Sequence, residues 1–140
     1  MRIKEVSHIG VGVKDLPKAV EFFQKNFGFR KVGEETGMGL RVAFLHGGAT
    51  PIELLQDVSP GGAMEKFIEK RGEGVHHLCF EVEDIKSAME ELRSQGVHFI
   101  DKEPRPGARN ALVAFIHPKD SYGVLIELAQ YAGKPEAEAQ

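Results

Sequence analysis

Two histidines and two glutamates occupy matching places in this chain, and together they carry the chemistry of a divalent-metal site. His8 stands in VSHIGVGVKDL and His77 in VHHLCFEVEDI, while Glu53 stands in IELLQ and Glu127 in IELAQ. Laying one segment on the other pairs His8 with His77, Val11 with Phe80, Val13 with Val82 and Asp15 with Asp84. Two imidazoles with two carboxylates suit Zn, Co, Ni, Fe or Mn better than Ca or a thiolate centre. A glutamate inside an apolar strand is costly unless it is paired or metal-bound. A lone strand histidine is most often a packed or surface residue. The recurrence of both residue types in one register favours ligation for all four. A metal that takes six ligands would then keep two positions for a bidentate substrate.

These four residues need strands and helices to position them. Leu16, Ala19, Val20 and Phe23 recur at helical spacing, and Ile85, Ala88, Met89 and Leu92 repeat that face. Asp15 and Asp84 are N-cap residues by type, Pro17 suits a first helical turn, and Gly28 and Gly96 are stop signals. Strand-like segments follow each helix: 29–34, 40–45 and 51–56 in the first half, 97–100, 111–116 and 123–129 in the second. The unit βαβββ is therefore expected twice. A single domain is expected over residues 1–130, with halves at about 1–58 and 72–130 and a linker helix at about 60–70. Residues 131–140 lack an apolar pattern and are expected to be frayed or disordered. Strand alternation places Ile9, Val11 and Val13 toward one helix and Leu78, Phe80 and Val82 toward the other. His8 and His77 then face away from the helices, as do Glu53 and Glu127. The expected fold class is α+β, two tandem βαβββ modules forming an open cup-shaped sheet around a metal site.

The remaining candidates read as structural. His76 falls on the helix-facing side by alternation. His46, His98 and His117 sit at loop or strand-end positions with no matching partner. Cys79, the single cysteine, is more often a small core residue than a nucleophile. Lacking an internal partner, it points to a reducing, cytoplasmic setting. Arg41 is expected to point outward. The net charge of −3 gives no basic footprint for nucleic acid or polybasic membrane patch, and no apolar run has the ~20 residues of a membrane span.

The chain resembles the methylmalonyl-CoA epimerases of the vicinal oxygen chelate superfamily. The resemblance runs from SHIGVGVKDL to GVLIELAQ, and its more specific parts are GEGVHHLCFEVEDI and EPRPGARNALVAFIHPKDSYGVLIELAQ. It implies metal ligands at His8, Glu53, His77 and Glu127, a cobalt-class divalent ion (with Zn, Ni or Mn as alternatives) and a homodimer. The implied reaction is interconversion of (R)- and (S)-methylmalonyl-CoA in propionyl-CoA metabolism. Glu127 matches a metal-bound base of the family. Many bacterial members carry a second glutamate in the strand matching GLRVAFL and a glutamine at the ligand matching Glu53. Here Val42 takes the first place and Glu53 the second, so Glu53 is the candidate for the other base. Arg105, Arg109 and Lys119 are candidate contacts for an acyl-CoA substrate, whose phosphates call for cations. A glyoxalase I-like lactoylglutathione lyase, a metal-free small-molecule-binding resistance protein and a ring-cleaving dioxygenase are the rival readings. The fourth ligand, Glu53, weighs against the dioxygenase, which commonly uses two histidines and one carboxylate.

Overall fold

A computed structural model describes residues 1–133; the part of the expected tail from 134 on lies outside the described residues. The element order is β1 (Glu5–Gly12), α1 (Leu16–Phe27), β2 (Arg30–Gly37), β3 (Leu40–His46), β4 (Ile52–Asp57), α2 (Ala63–Arg71), β5 (Gly74–Glu81), α3 (Ile85–Ser94), β6 (Arg105–Pro106), β7 (Ala111–Ile116) and β8 (Ile126–Tyr131). The protein is α+β and is built on βαβββ taken twice. Two compact units form, His8–His76 and, in the other, Met1–Ser7 together with residues 77–133. Their boundaries fall inside β1 and β5, at the two histidines.

In the first unit the strands run in the hydrogen-bonded order β2-β3-β4-β1, with β1 parallel to β4 and the other pairs antiparallel. In the second the order is β5-β8-β7-β6, with β5 parallel to β8. The N-terminal residues belong to the second unit, where the Lys4 amide donates to the Glu81 carbonyl at 2.8 Å.

Each unit packs its helix on one face of its strands, with apolar residues at largely corresponding positions. Val13, Leu16, Val20, Ala43, Leu45 and Leu54 form the first core, with Val11, Phe23 and Ile52 against it. Val82, Ile85, Ala88, Met89, Ala114 and Leu128 form the second, with Phe80, Leu92 and Ile126 against it. Each fully buried aliphatic side chain contributes roughly 1.5–3 kcal/mol.

The helix starts are held by two devices that recur. Asp15 accepts the Lys18 amide at 3.1 Å and Asp84 the Ser87 amide at 3.1 Å, as N-caps do. The amide of the first helical residue is taken by the closing strand: Gln56 Oε1 accepts Leu16 N–H at 2.7 Å, and Gln130 Oε1 accepts Ile85 N–H at 2.9 Å. The last residue of IELLQ and of IELAQ thus pins its strand to its helix. Helix α2 has no side-chain cap of its own, and Asp57 at the end of β4 accepts the Met64 and Glu65 amides at 3.2 and 2.6 Å.

The second half departs from expectation after α3. Residues 97–100 do not form a strand; one isolated bridge joins Phe99 to Ile116. The His98 amide donates to the Asp120 carboxylate at 2.6 Å, which diverts it from any ladder. The edge position goes to Arg105–Pro106, paired with Val113 and Leu112. Proline cannot donate to a ladder, which keeps this edge short. The first half instead makes the eight-residue β2. At the far end, β8 begins at Ile126 rather than Gly123 and extends to Tyr131. No helix among the described residues is long and apolar enough to cross a membrane.

Gln56→Ala and Gln130→Ala each leave a helix-start amide without its acceptor. Each is expected to cost about 1 kcal/mol of stability, read as a lowered denaturant midpoint at unchanged slope. An unchanged midpoint in both would show that water replaces the glutamine without loss.

Candidate metal and proton-transfer site

The face of each unit's strands away from its helix carries a histidine and a glutamate. In the first unit Glu53 lies opposite Gly10 on β1 and Phe44 on β3. Nδ1 of His8 lies 3.1 Å from Glu53 Oε2. In the second unit Glu127 lies opposite Cys79 on β5 and Phe115 on β7. There Nε2 of His77 lies 3.2 Å from Glu127 Oε1. The two pairs match in strand position and differ in which ring nitrogen approaches the acid. All four residues are buried: His8 and Glu53 are 4% exposed, His77 5% and Glu127 9%. Two carboxylates held out of water beside imidazoles need positive charge to offset their desolvation. Imidazole with carboxylate is a donor chemistry that a divalent ion takes.

The other sequence candidates separate clearly. His76 sets its ring edge-on to Phe67 of α2, 4.8 Å between centroids, a packing role. His98 pairs with Asp120 at 2.8 Å on the surface. The Asp120 carboxyl is held below its ordinary pKa, first by the His98 backbone N–H and then by the His98 ring. Arg41 points out to an ion pair with Glu34 at 3.0 Å. Cys79 is fully buried among Ala111, Val113 and Ala129. Val42, buried, precedes Phe44 on the face that carries Glu53 and offers no carboxylate.

His46 and His117 do have matching partners: each other. Registering Phe44 on Glu53 and Phe115 on Glu127 aligns VAFLH, residues 42–46, with VAFIH, residues 113–117. This five-residue repeat was in plain view in the sequence. His46 is 4% exposed, whereas His117 is exposed and accepts the Lys119 amide at 3.3 Å.

The three cationic candidates differ in how they are held. Arg105 lies on β6 with Nε 2.9 Å from Asp101, and its guanidinium lies 5.4 Å from the Phe115 ring centre. Asp101 also accepts the Phe115 amide at 2.8 Å. Phe115 in turn sets its ring edge-on to His77 at 6.0 Å. Arg105 is therefore carried to within one aromatic ring of the His77–Glu127 pair. Arg109 lies 5.6 Å from the Tyr131 ring centre and donates to its hydroxyl at 3.3 Å. Lys119 is exposed on a short 3-10 turn, Pro118–Asp120. A cavity of about 480 Å³ beside α2, lined by Val13, Asp57, Met64 and Ile68 among others, includes none of the four metal-type residues.

Residues 7–115 match the Glyoxalase/Bleomycin resistance protein/Dioxygenase superfamily. The ethylmalonyl-CoA/methylmalonyl-CoA epimerase of Cereibacter sphaeroides is 37% identical over 91% of this chain and 98% of its own length. The chain belongs to the methylmalonyl-CoA epimerase family of this superfamily. The human mitochondrial methylmalonyl-CoA epimerase is 34% identical over 89% of this chain and 73% of its own length. The Streptomyces coelicolor epimerase, solved as a single-site variant with 2-nitronate-propionyl-CoA, superposes with a TM-score of 0.88 at 35% identity. That likeness covers 94% of this chain and 100% of the Streptomyces chain.

Asp101 holds both the Phe115 amide and Arg105. Asp101→Ala is expected to destabilise the protein by about 1–3 kcal/mol, measured by chemical denaturation. A loss below the error of that measurement would mean that Arg105 and Phe115 are held by other contacts.

Proposed function

We propose that the chain interconverts the (R) and (S) forms of methylmalonyl-CoA by removing and returning the proton on the carbon alpha to the thioester. One observation carries the reading: two buried histidine–glutamate pairs at equivalent positions of a repeated module, in a chain of the epimerase family. His8, Glu53, His77 and Glu127 would hold one divalent ion. Cobalt is the family's usual choice, and Zn, Ni and Mn suit the same donors. Such an ion, when bound, supplies Lewis-acid stabilisation for negative charge developing on the thioester oxygen.

Two carboxylates are needed for the proton itself, because epimerisation takes it from one face and returns it to the other. Glu127 serves one face. Val42 supplies no acid on the inner face of β3, so Glu53 serves the opposite face in this reading. His8 and His77 brace the two carboxylates at 3.1 and 3.2 Å and limit their rotation. Burial keeps water from competing for the proton and strengthens electrostatic contacts at the reacting carbon. Arg105 and Arg109 face the CoA moiety in this reading, with Lys119 as a further cation. The setting is a homodimeric cytoplasmic enzyme of propionyl-CoA metabolism. A glyoxalase I-like activity would use the same donors on a glutathione hemithioacetal. The extent of the likeness to epimerases, over nine-tenths of the chain, favours the CoA substrate.

Epimerisation in deuterium oxide tests this reading. Wild type should place one deuterium at the alpha carbon of methylmalonyl-CoA, with loss of optical activity. Glu127→Gln and Glu53→Gln should each slow epimerisation by about 10²–10⁴-fold. Each variant should still exchange the alpha proton of one epimer, and the two variants should retain opposite epimers. Near-normal turnover by Glu53→Gln would remove it as the second base. Activity confined to the methylglyoxal–glutathione adduct would overturn the epimerase reading.

The ion is testable apart from turnover. At one hundred times its dissociation constant, a bound ion stabilises the native state by about 2.7 kcal/mol. Cobalt or zinc added to chelated protein should therefore raise the melting temperature. His8→Ala or His77→Ala should remove most of that rise. A melting temperature indifferent to divalent ions would count against the four-residue site.

A further inference from the structure

Phe44 and Phe115 hold equivalent places beside the two glutamates, yet they are secured differently. Phe44 lies inside a full ladder, opposite Gly33 of β2 on one side and Glu53 on the other, and is 4% exposed. Phe115 is half-buried, and residues 97–100 give it no strand on the side where β2 serves Phe44. Two separate contacts stand in for that strand. The Ile100 amide donates to the Phe115 carbonyl at 2.8 Å, and the Phe115 amide donates to Asp101 Oδ2 at 2.8 Å.

Asp101 does more than satisfy a backbone amide. Its Oδ1 lies 2.9 Å from Arg105 Nε, and the Arg105 guanidinium lies 5.4 Å from the Phe115 ring centre. A guanidinium is attracted to an aromatic ring, and its planar fork is held well by a carboxylate. One carboxylate therefore holds the main chain of Phe115 with one oxygen and the arginine beside its ring with the other. That ring sets edge-on to His77, with centroids 6.0 Å apart and planes at 80°. Aromatic rings favour this arrangement, and it opposes rotation of the imidazole. The same imidazole has its Nε2 3.2 Å from Glu127 Oε1. The groups behind a metal-binding histidine set its ring orientation and tune the site.

We propose that Asp101 and Arg105 clamp Phe115, and that the clamped ring is a positioning residue for His77, holding the imidazole at the angle that keeps Nε2 beside Glu127. This rests on the reading of His77 as a metal ligand. It gives Arg105 a task at the His77–Glu127 pair that needs no contact with substrate. In the first unit, paired strands and burial fix the equivalent phenylalanine. In the second, where the strand is missing, a carboxylate and an arginine do so.

Titrating chelated protein with cobalt tests the clamp without turnover. Phe115→Leu keeps apolar bulk and removes the ring edge. It should weaken cobalt affinity about tenfold and change the visible absorption of the bound ion. In turnover its kcat should fall while KM for methylmalonyl-CoA stays unchanged. Arg105→Gln removes the charge beside the ring at a side chain 40% exposed, and it serves should the leucine variant fold poorly. Asp101→Asn keeps an acceptor for the Phe115 amide and loses the charge that holds Arg105. Both should weaken cobalt affinity severalfold, and the double variant should be no weaker than either, as for two parts of one clamp. A phenylalanine that serves only the fold would lower the melting temperature of the chelated protein and leave cobalt affinity unmoved. An arginine that serves only the substrate would raise KM and leave cobalt affinity unmoved. Either result would overturn the proposal while leaving the metal site standing. A wild type that binds no cobalt would overturn both.

Discussion

The structure depends on keeping a carboxylate and an imidazole together where water is scarce. Glu53 sits beside His8 at 3.1 Å, and Glu127 beside His77 at 3.2 Å, in strands whose alternate residues form the hydrophobic core. An uncompensated buried carboxylate costs several kcal/mol, comparable to the whole net stability of a domain. That cost constrains the residues around each pair. Gly10 and Cys79 are the small residues opposite the acids, and Phe44 and Phe115 close the other side. The helix-facing residues must supply apolar burial that the acid-bearing face provides less of. In both cores they do so with residues at matching positions.

The same closing strand performs three tasks within four residues. In IELLQ, Glu53 faces the chemistry, Leu54 enters the core, and Gln56 holds the first amide of α1. In IELAQ, Glu127, Leu128 and Gln130 repeat those tasks for α3. The period of two sends Glu and core residues to opposite faces, so a one-residue slip would bury the glutamate against the helix. The glutamine-to-helix hydrogen bond opposes that slip, because it fixes the end of the strand against a particular backbone amide. Register is thereby specified both by hydrophobic burial and by a polar contact.

Much of this was legible because alternation and helical spacing are local properties. The helix faces and the Asp caps followed from positions within about ten residues of each other. The VAFLH and VAFIH match is legible in the sequence too, and strand pairing bears it out by setting Phe44 opposite Glu53 and Phe115 opposite Glu127. The tasks of Gln56 and Gln130 were hidden: a glutamine at a strand end carries no signature until its helix is in place. The strand expected over residues 97–100 failed because Asp120, twenty-two positions after His98, captures the backbone amide that a ladder would use. The left-handed backbone at Arg109 was unreadable in principle, since arginine is a residue for which sequence predicts the opposite.

Internal symmetry and chemical asymmetry meet at residues 42 and 53. A tandem repeat supplies two carboxylates by default, one from each closing strand, and epimerisation needs one on each face of the reacting carbon. Under the proposed function, the proton carriers come from the duplicated positions without a third acid on β3. Val42 is consistent with that economy: it is buried and aligns with Val113 of the other module, so both copies keep an apolar residue two positions before the phenylalanine that flanks the glutamate. An acid at position 42 would introduce another charge into the same buried face as Glu53 and require its own compensation. Retaining valine leaves Glu53 and Glu127 as matched acids, each beside its own imidazole at the equivalent place of its module.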